Sequence, residues 1–260
     1  MRMKKQGLLV ASFGVSHQDA WEKTIGAVEH DMREAFPQWE MQAAYTSPTI
    51  RRIWAERGRR VPSLEEALED MAAKGVQKLV VQPTHLICGW EYHSLRQTVL
   101  AQAEDFELVS VGAPLLSSPE DYRRTAKAVA EAMPAAADEA LVLMGHGTDH
   151  PMNAAYPAMA HTFWALGYRH IFVGTVEGWP QGQDVLEQAR QAGYRRAVLA
   201  PLMLVAGDHA KNDMAGDEDS WKTLFEQGGM EVRCLIQGLG QLEAARAIYL
   251  DHARQAIERL

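Results

Sequence analysis

A chain of 260 residues, 47% hydrophobic and 23% charged, is long enough for one large domain or two small ones with real cores. Its net charge of −8, with acids and bases interspersed, excludes a basic nucleic-acid footprint. No apolar run approaches the roughly 18 residues of a membrane span. The two cysteines, Cys88 and Cys234, offer neither a CxxC pair nor zinc-ligand spacing, and two thiols suit a reducing compartment. A basic start, Met1 to Lys5, leads into Leu8-Leu9-Val10-Ala11, but Ser12, Gly14, His17 and Asp19 cut that run short of a signal peptide's apolar region. The expectation is a cytoplasmic protein with no nucleic-acid or membrane partner; a homo-oligomer is left open.

In chain order, short apolar runs alternate with amphipathic ones. Strands are predicted at 7–13, 41–45, 78–82, 108–112, 140–144, 170–175, 196–200 and 231–235. After the first, Trp21, Ile25, Val28 and Met32 fall on one face of a helix. Ser63-Leu64-Glu65-Glu66 is a capping box that opens another helix, and Gly75 ends it. Further helices are predicted near 121–132, 152–166, 183–192 and 241–260. That alternation predicts an α/β fold of parallel sheets with helices on both faces.

The chain also repeats itself. "LLVASFGVS" (8–16) is similar to "LVLMGHGTD" (141–149), setting Phe13-Gly14 against His146-Gly147. "KLVVQPTHLICGWEY" (78–92) is similar to "AVLAPLMLVAGDHAK" (197–211), setting Pro83 against Pro201, Gly89 against Gly207 and Glu91 against His209. Two four-stranded halves follow, 1–136 and 137–260, joined near 134–138.

In open parallel sheets ligands bind outside the carboxyl ends of the strands. In the second half His146, Glu177 and His209 each follow a strand there. Two imidazoles and a carboxylate make an open metal site suited to Fe, Co, Ni or Zn. The first half offers His85 and Glu91 after its third strand, facing the same crevice if the halves oppose each other. Each residue also has a plainer reading. Gly145-His146-Gly147 could cradle a phosphate, Glu177 could begin the next helix, and His209 could cap or pair with Asp208 or Asp213. Cys88 reads as a buried inert thiol. Trp90, Tyr92 and Trp179, in the loop "CGWEY" and the segment "VEGWP", could stack on a flat ligand or simply pack. His17, His30, His93, His161, His170 and His252 read as surface or structural. The nucleotide signatures GxGxxG and GxxxxGK[ST] are absent, so no nucleotide cofactor is expected.

Taken together, "LLVASFGVSHQDAWEKTI", "TSPTIRRIW", "GAPLLSS", "MGHGTDHPMNAAY", "VGTVEGWP" and "APLMLVAGDHAKNDMAGDEDSWK" resemble the anaerobic cobaltochelatases of CbiK type, over nearly the whole chain. The resemblance implies a class II chelatase: two similar Rossmann-like lobes around an active-site cleft, with the metal site in the C-terminal lobe. It implies ATP-independent insertion of Co2+ into sirohydrochlorin on the route to cobalamin. It places metal ligands on His146, Glu177 and His209, and further cleft residues on Glu91 and His85. Some members of that family are exported and carry a leader; none is read here.

Insertion needs a loosely held metal, removal of two pyrrole protons and a bent macrocycle. A His2Glu set leaves coordination positions open for pyrrole nitrogens, and imidazole can both ligate metal and take protons near pH 7. One histidine can do each in turn: His146 is expected to be the principal base and ligand, His209 to share the catalytic site, and Glu91 and His85 to be proton acceptors or orienters. Arg51, Arg52 and the helix starts after Ser12 and Ser117 are candidates to hold substrate carboxylates, although Arg51-Arg52 also reads as a solvated face. Fe2+ in place of Co2+, or a non-catalytic carrier of metal or tetrapyrrole, are the rival readings.

Overall fold

The computed structural model describes residues 4–260. Its eight strands form two four-stranded parallel sheets of identical order, β2-β1-β3-β4 and β6-β5-β7-β8. The strands are β1 (Gln6–Ser12), β2 (Glu40–Tyr45), β3 (Lys78–Pro83), β4 (Leu108–Val111), β5 (Glu139–Gly145), β6 (Ile171–Thr175), β7 (Arg196–Pro201) and β8 (Glu231–Cys234). Each lies within one residue of its expected bounds. The central strands explain this legibility. Leu8 to Ala11 and Leu141 to Met144 have no exposed surface, as expected for strands covered on both faces.

Parallel pairing demands a crossover, and each is helical. In chain order these are α1 (Gln18–Lys23) and α2 (Ile25–Ala35), α3 (Pro48–Glu56) and α4 (Leu64–Ala73), α5 (Trp90–Ala101), α6 (Pro119–Ala132), α7 (Ala155–Ala165), α8 (Gly182–Gln191), α9 (Trp221–Gln227) and the terminal α10 (Glu243–Glu258). The repeat extends to packing. Leu64, Ala67, Leu68 and Met71 of α4, with Leu95 and Val99 of α5, cover Leu9 and Ala11 of β1. In the second sheet Val185, Leu186 and Ala189 of α8, with Trp221 and Phe225 of α9, cover Val142 and Met144 of β5. The capping box at Ser63 forms in full, and Gly75 leaves the helix with φ +76°.

Two compact units result: Met1–Ser117 with Arg246–Leu260, and Ser118–Ala245. That division differs from the single boundary expected at 136/137, for two reasons. Helix α6 packs on α7 of the second unit. The body of α10 returns to the first unit, where Arg246 pairs with Asp31 at 2.6 Å, Tyr249 donates to the Thr84 carbonyl at 2.9 Å and His252 donates to the Ala113 carbonyl at 3.0 Å. Ala245, Ile248, Tyr249, Ala253 and Ala256 form its buried stripe.

The helix expected through Trp21 to Met32 is broken at Thr24, whose φ of −127° and ψ of −88° leave the helical region and whose hydroxyl donates to the Ala20 carbonyl. Beyond the break, the Trp21 side chain lies beside the Glu29 carboxyl of α2. Glu29 is 6% exposed. Burial pushes its pKa up to about 7, against the pull of Arg59 and Arg33, while Arg59 itself stacks 3.8 Å from the Trp21 ring centroid. A folded-state pKa raised from 4.5 gives stability that is complete below pH 4.5 and lost as pH rises through about 7. Glu29→Gln cannot ionise. Near pH 8 it is expected to be more stable than wild type by up to about 3 kcal/mol, and near pH 4.5 to match it. Urea unfolding at the two pH values checks this.

Candidate active site

Strand β5 delivers His146 at its carboxyl end, and the glycines on either side have separate tasks. A Cβ on Gly145 would stand 2.2 Å from the Tyr156 ring. Gly147 has φ +84°, and a Cβ there would stand 2.4 Å from the Gly178 nitrogen. The glycines therefore let α7 and the loop after β6 close against the His146 turn. Val176 and Glu177 donate their N–H groups to the His146 carbonyl at 3.1 and 2.8 Å. Asn153 ties the loops further: its side-chain oxygen accepts from Thr148 N–H at 3.2 Å, and its amide donates to the Trp179 carbonyl at 2.6 Å. Glu177 thus sits in a braced loop, and the next helix opens only at Gly182; the reading of Glu177 as a helix start does not hold.

His209 precedes a short π-helical turn, Ala210–Met214. Its ring meets that of His146 edge to face, with centroids 4.6 Å apart. Glu177 Oε2 lies 3.6 Å from His146 Nδ1. His146 Nδ1 also lies 3.0 Å from the Gly147 carbonyl, which can only accept, so this nitrogen carries the proton and Nε2 keeps its lone pair. His209 Nδ1 is 2.6 Å from Asp213 Oδ2. The side chains of His146, His209 and Glu177 are 44%, 42% and 57% exposed, so all three are open to an incoming ion. Among the described residues no three His, Cys, Asp or Glu side chains stand ready to hold a metal. The site is two contacts that share His146, rather than a closed cage.

His85 and Glu91 belong to the first unit. Both ring nitrogens of His85 are buried without a hydrogen-bond partner, and burial lowers its pKa to about 4. That keeps the ring neutral near pH 7 and makes it a weak proton acceptor. Glu91, with Trp90 and Tyr92, lies in the first turn of α5 and not in a loop. Trp90 and Trp179 are both exposed, at 58% and 62%. Of the proposed carboxylate holders, Arg51 faces Glu66 at 3.7 Å and Arg52 faces Glu56 at 3.9 Å. No helix starts directly after Ser12, since α1 begins at Gln18, and the cap of α6 is Ser118 instead of Ser117. Burial raises the Cys88 thiol pKa, which suits an inert role.

Backbone geometry shows why only the second unit carries this histidine and carboxylate. Ser47 N–H donates to the Phe13 carbonyl at 3.2 Å, as Glu177 N–H does to His146, and Gly14 has φ +102° where Gly147 has +84°. Phe13 and Ser47 therefore occupy the places of His146 and Glu177. Asn153 and Tyr156, which brace the site, were not singled out from the sequence. Their signal is the pairing of each with a glycine distant in the chain, and only the fold reveals that pairing.

A family profile described as "Cobalt chelatase (CbiK)" matches residues 6–258. The chain is 38% identical over 256 residues to the sirohydrochlorin cobaltochelatase of Salmonella typhimurium, covering 97% of each chain. It is 36% identical over 266 residues to sirohydrochlorin cobaltochelatase CbiKC of Nitratidesulfovibrio vulgaris, covering 99% of this chain and 93% of that one. In fold it is similar to SirB from Bacillus subtilis with Fe3+, at a TM-score of 0.70 and 14% identity over 97% of this chain and 95% of that one. A cobalt complex of the SirB sirohydrochlorin chelatase from Bacillus subtilis subspecies spizizenii gives 0.68 at 16% identity, over 98% and 96%.

Proposed function

The chain belongs to the cobalt chelatase (CbiK) family, and from that premise we propose that it inserts Co2+ into sirohydrochlorin, releasing two protons, as an ATP-independent step of cobalamin biosynthesis. The observation that carries the reading is the pair of half-exposed imidazoles, His146 and His209, packed 4.6 Å apart at the carboxyl end of one sheet with Glu177 beside the first. Two imidazoles hold a borderline divalent ion, and a carboxylate adds charge without closing the coordination sphere. The incoming macrocycle nitrogens take the remaining positions. As each pyrrole N–H gives way to a metal bond, its proton needs an acceptor. An imidazole whose Nε2 has handed the ion to a pyrrole nitrogen has that lone pair free for the displaced proton, so His146 and His209 act first as ligands and then as acceptors, and exposed Glu91 is the further acceptor. His85, held neutral by burial, orients and does not titrate in this range.

No helix among the described residues is long and apolar enough to cross a membrane; we place the reaction in the cytoplasm on the two free thiols, Cys88 and Cys234, which suit a reducing compartment. The test is an anaerobic absorbance assay with sirohydrochlorin in large excess over protein, with Co2+ and separately with Fe2+. The proposal expects many turnovers per chain with Co2+. A spectrum that changes by one equivalent and stops would make the protein a carrier. Turnover with Fe2+ and none with Co2+ would make it an iron chelatase.

A further inference from the structure

We propose that Asp213 is a positioning residue for the metal step, holding His209 so that its Nε2 faces the incoming ion. The inference rests on the reading of His209 as a metal ligand. Asp213 Oδ2 lies 2.6 Å from His209 Nδ1, the length of a charge-assisted hydrogen bond. A carboxylate can only accept, so the proton of the neutral ring is on Nδ1 and the free lone pair is on Nε2. The same tautomer holds at His146, where a backbone carbonyl does the fixing. The two rings thus present like nitrogens from different supports.

The local fold is suited to this. The π-helical turn Ala210–Met214 sinks Ala210 and Met214 into the core, both fully buried, while His209 and Asp213 are half exposed. The backbone is closed by Lys211 N–H to the Gly207 carbonyl at 3.1 Å and by Gly216 N–H to the Asn212 carbonyl at 3.0 Å. The turn is therefore anchored through its backbone, and the Asp213 carboxylate is left to the His209 imidazole. A hydrogen bond between two side chains this exposed adds little to folding. Its effect is on ring orientation and tautomer, as outer partners of metal-bound histidines act.

Asp213→Ala, Asp213→Asn and His209→Ala are compared with wild type for direct Co2+ binding without macrocycle, for KM of each substrate and for Tm. Asp213→Ala is expected to weaken Co2+ binding and raise the Co2+ KM by about 10–100-fold, with sirohydrochlorin KM and Tm nearly unchanged. Asp213→Asn keeps an acceptor for Nδ1–H and is expected to recover most of the loss. A collapse in His209→Ala with wild-type Co2+ binding in Asp213→Ala would overturn the inference alone. Equal loss in Asn and Ala variants with a lowered Tm would make Asp213 merely structural and also overturn it. Full turnover in His209→Ala would overturn the reading of the site, and the inference with it.

Discussion

His146→Ala and His209→Ala are each expected to lower Co2+ insertion by about 10²–10⁴-fold, the scale on which a positioned acid–base group acts, with metal affinity falling as well. Both effects converge because the same Nε2 lone pair of each ring is proposed first to ligate the ion and then, once the ion has left, to take a proton. The side chains are 44% and 42% exposed, so truncation leaves no buried cavity and stability should stay within about 0.5 kcal/mol of wild type. Glu177→Gln should be milder. It keeps the loop, which is held through the backbone N–H of Glu177 and the side chain of Asn153, and removes only charge. Steady-state turnover beside thermal melts separates loss of chemistry from loss of fold.

The second large effect concerns a residue with no side chain. Gly147→Ala places a Cβ 2.4 Å from the Gly178 nitrogen and 2.8 Å from the Thr175 Cβ, at φ +84°. The left-handed backbone costs about 1 kcal/mol for alanine and the overpacking about 1–3 more, so a loss of about 3 kcal/mol is expected. Gly167→Ala is the control. Its φ is +90°, yet nothing lies within 4 Å of the added carbon, so only the backbone cost of about 1 kcal/mol should appear. Because the clash falls on the loop bearing Glu177, Gly147→Ala should also lose activity, and Gly167→Ala should keep it. Denaturant titration and the insertion assay check both.

The inner strands β1, β3, β5 and β7 were legible because they carry buried apolar runs, and the edge strands because the two sheets repeat one order. Helix α5 was not, since in "WEYHSLRQTVLA" only Leu95 and Val99 are buried and the apolar stripe is thin. The break at Thr24 was hidden for the opposite reason: Trp21 before it and Ile25, Val28 and Met32 after it keep a helical spacing across the local distortion. The return of α10 to the first unit depends on partners such as Asp31, Thr84 and Ala113, which no local pattern can identify. At the site, His146, Glu177 and His209 could be picked out as polar groups after strands. What holds them could not. Asn153 works by filling the space above Gly178, where a Cβ would lie 2.2 Å from its oxygen. Asp213 was legible only as one of two acids near His209.

The central claim is that His146 and His209 hold the substrate metal together. X-ray absorption at the cobalt K-edge, on protein loaded anaerobically with Co2+, tests it most directly. Two imidazoles per cobalt are predicted in wild type and one in each of His146→Ala and His209→Ala. Two imidazoles surviving in either variant would contradict the claim and place the metal elsewhere.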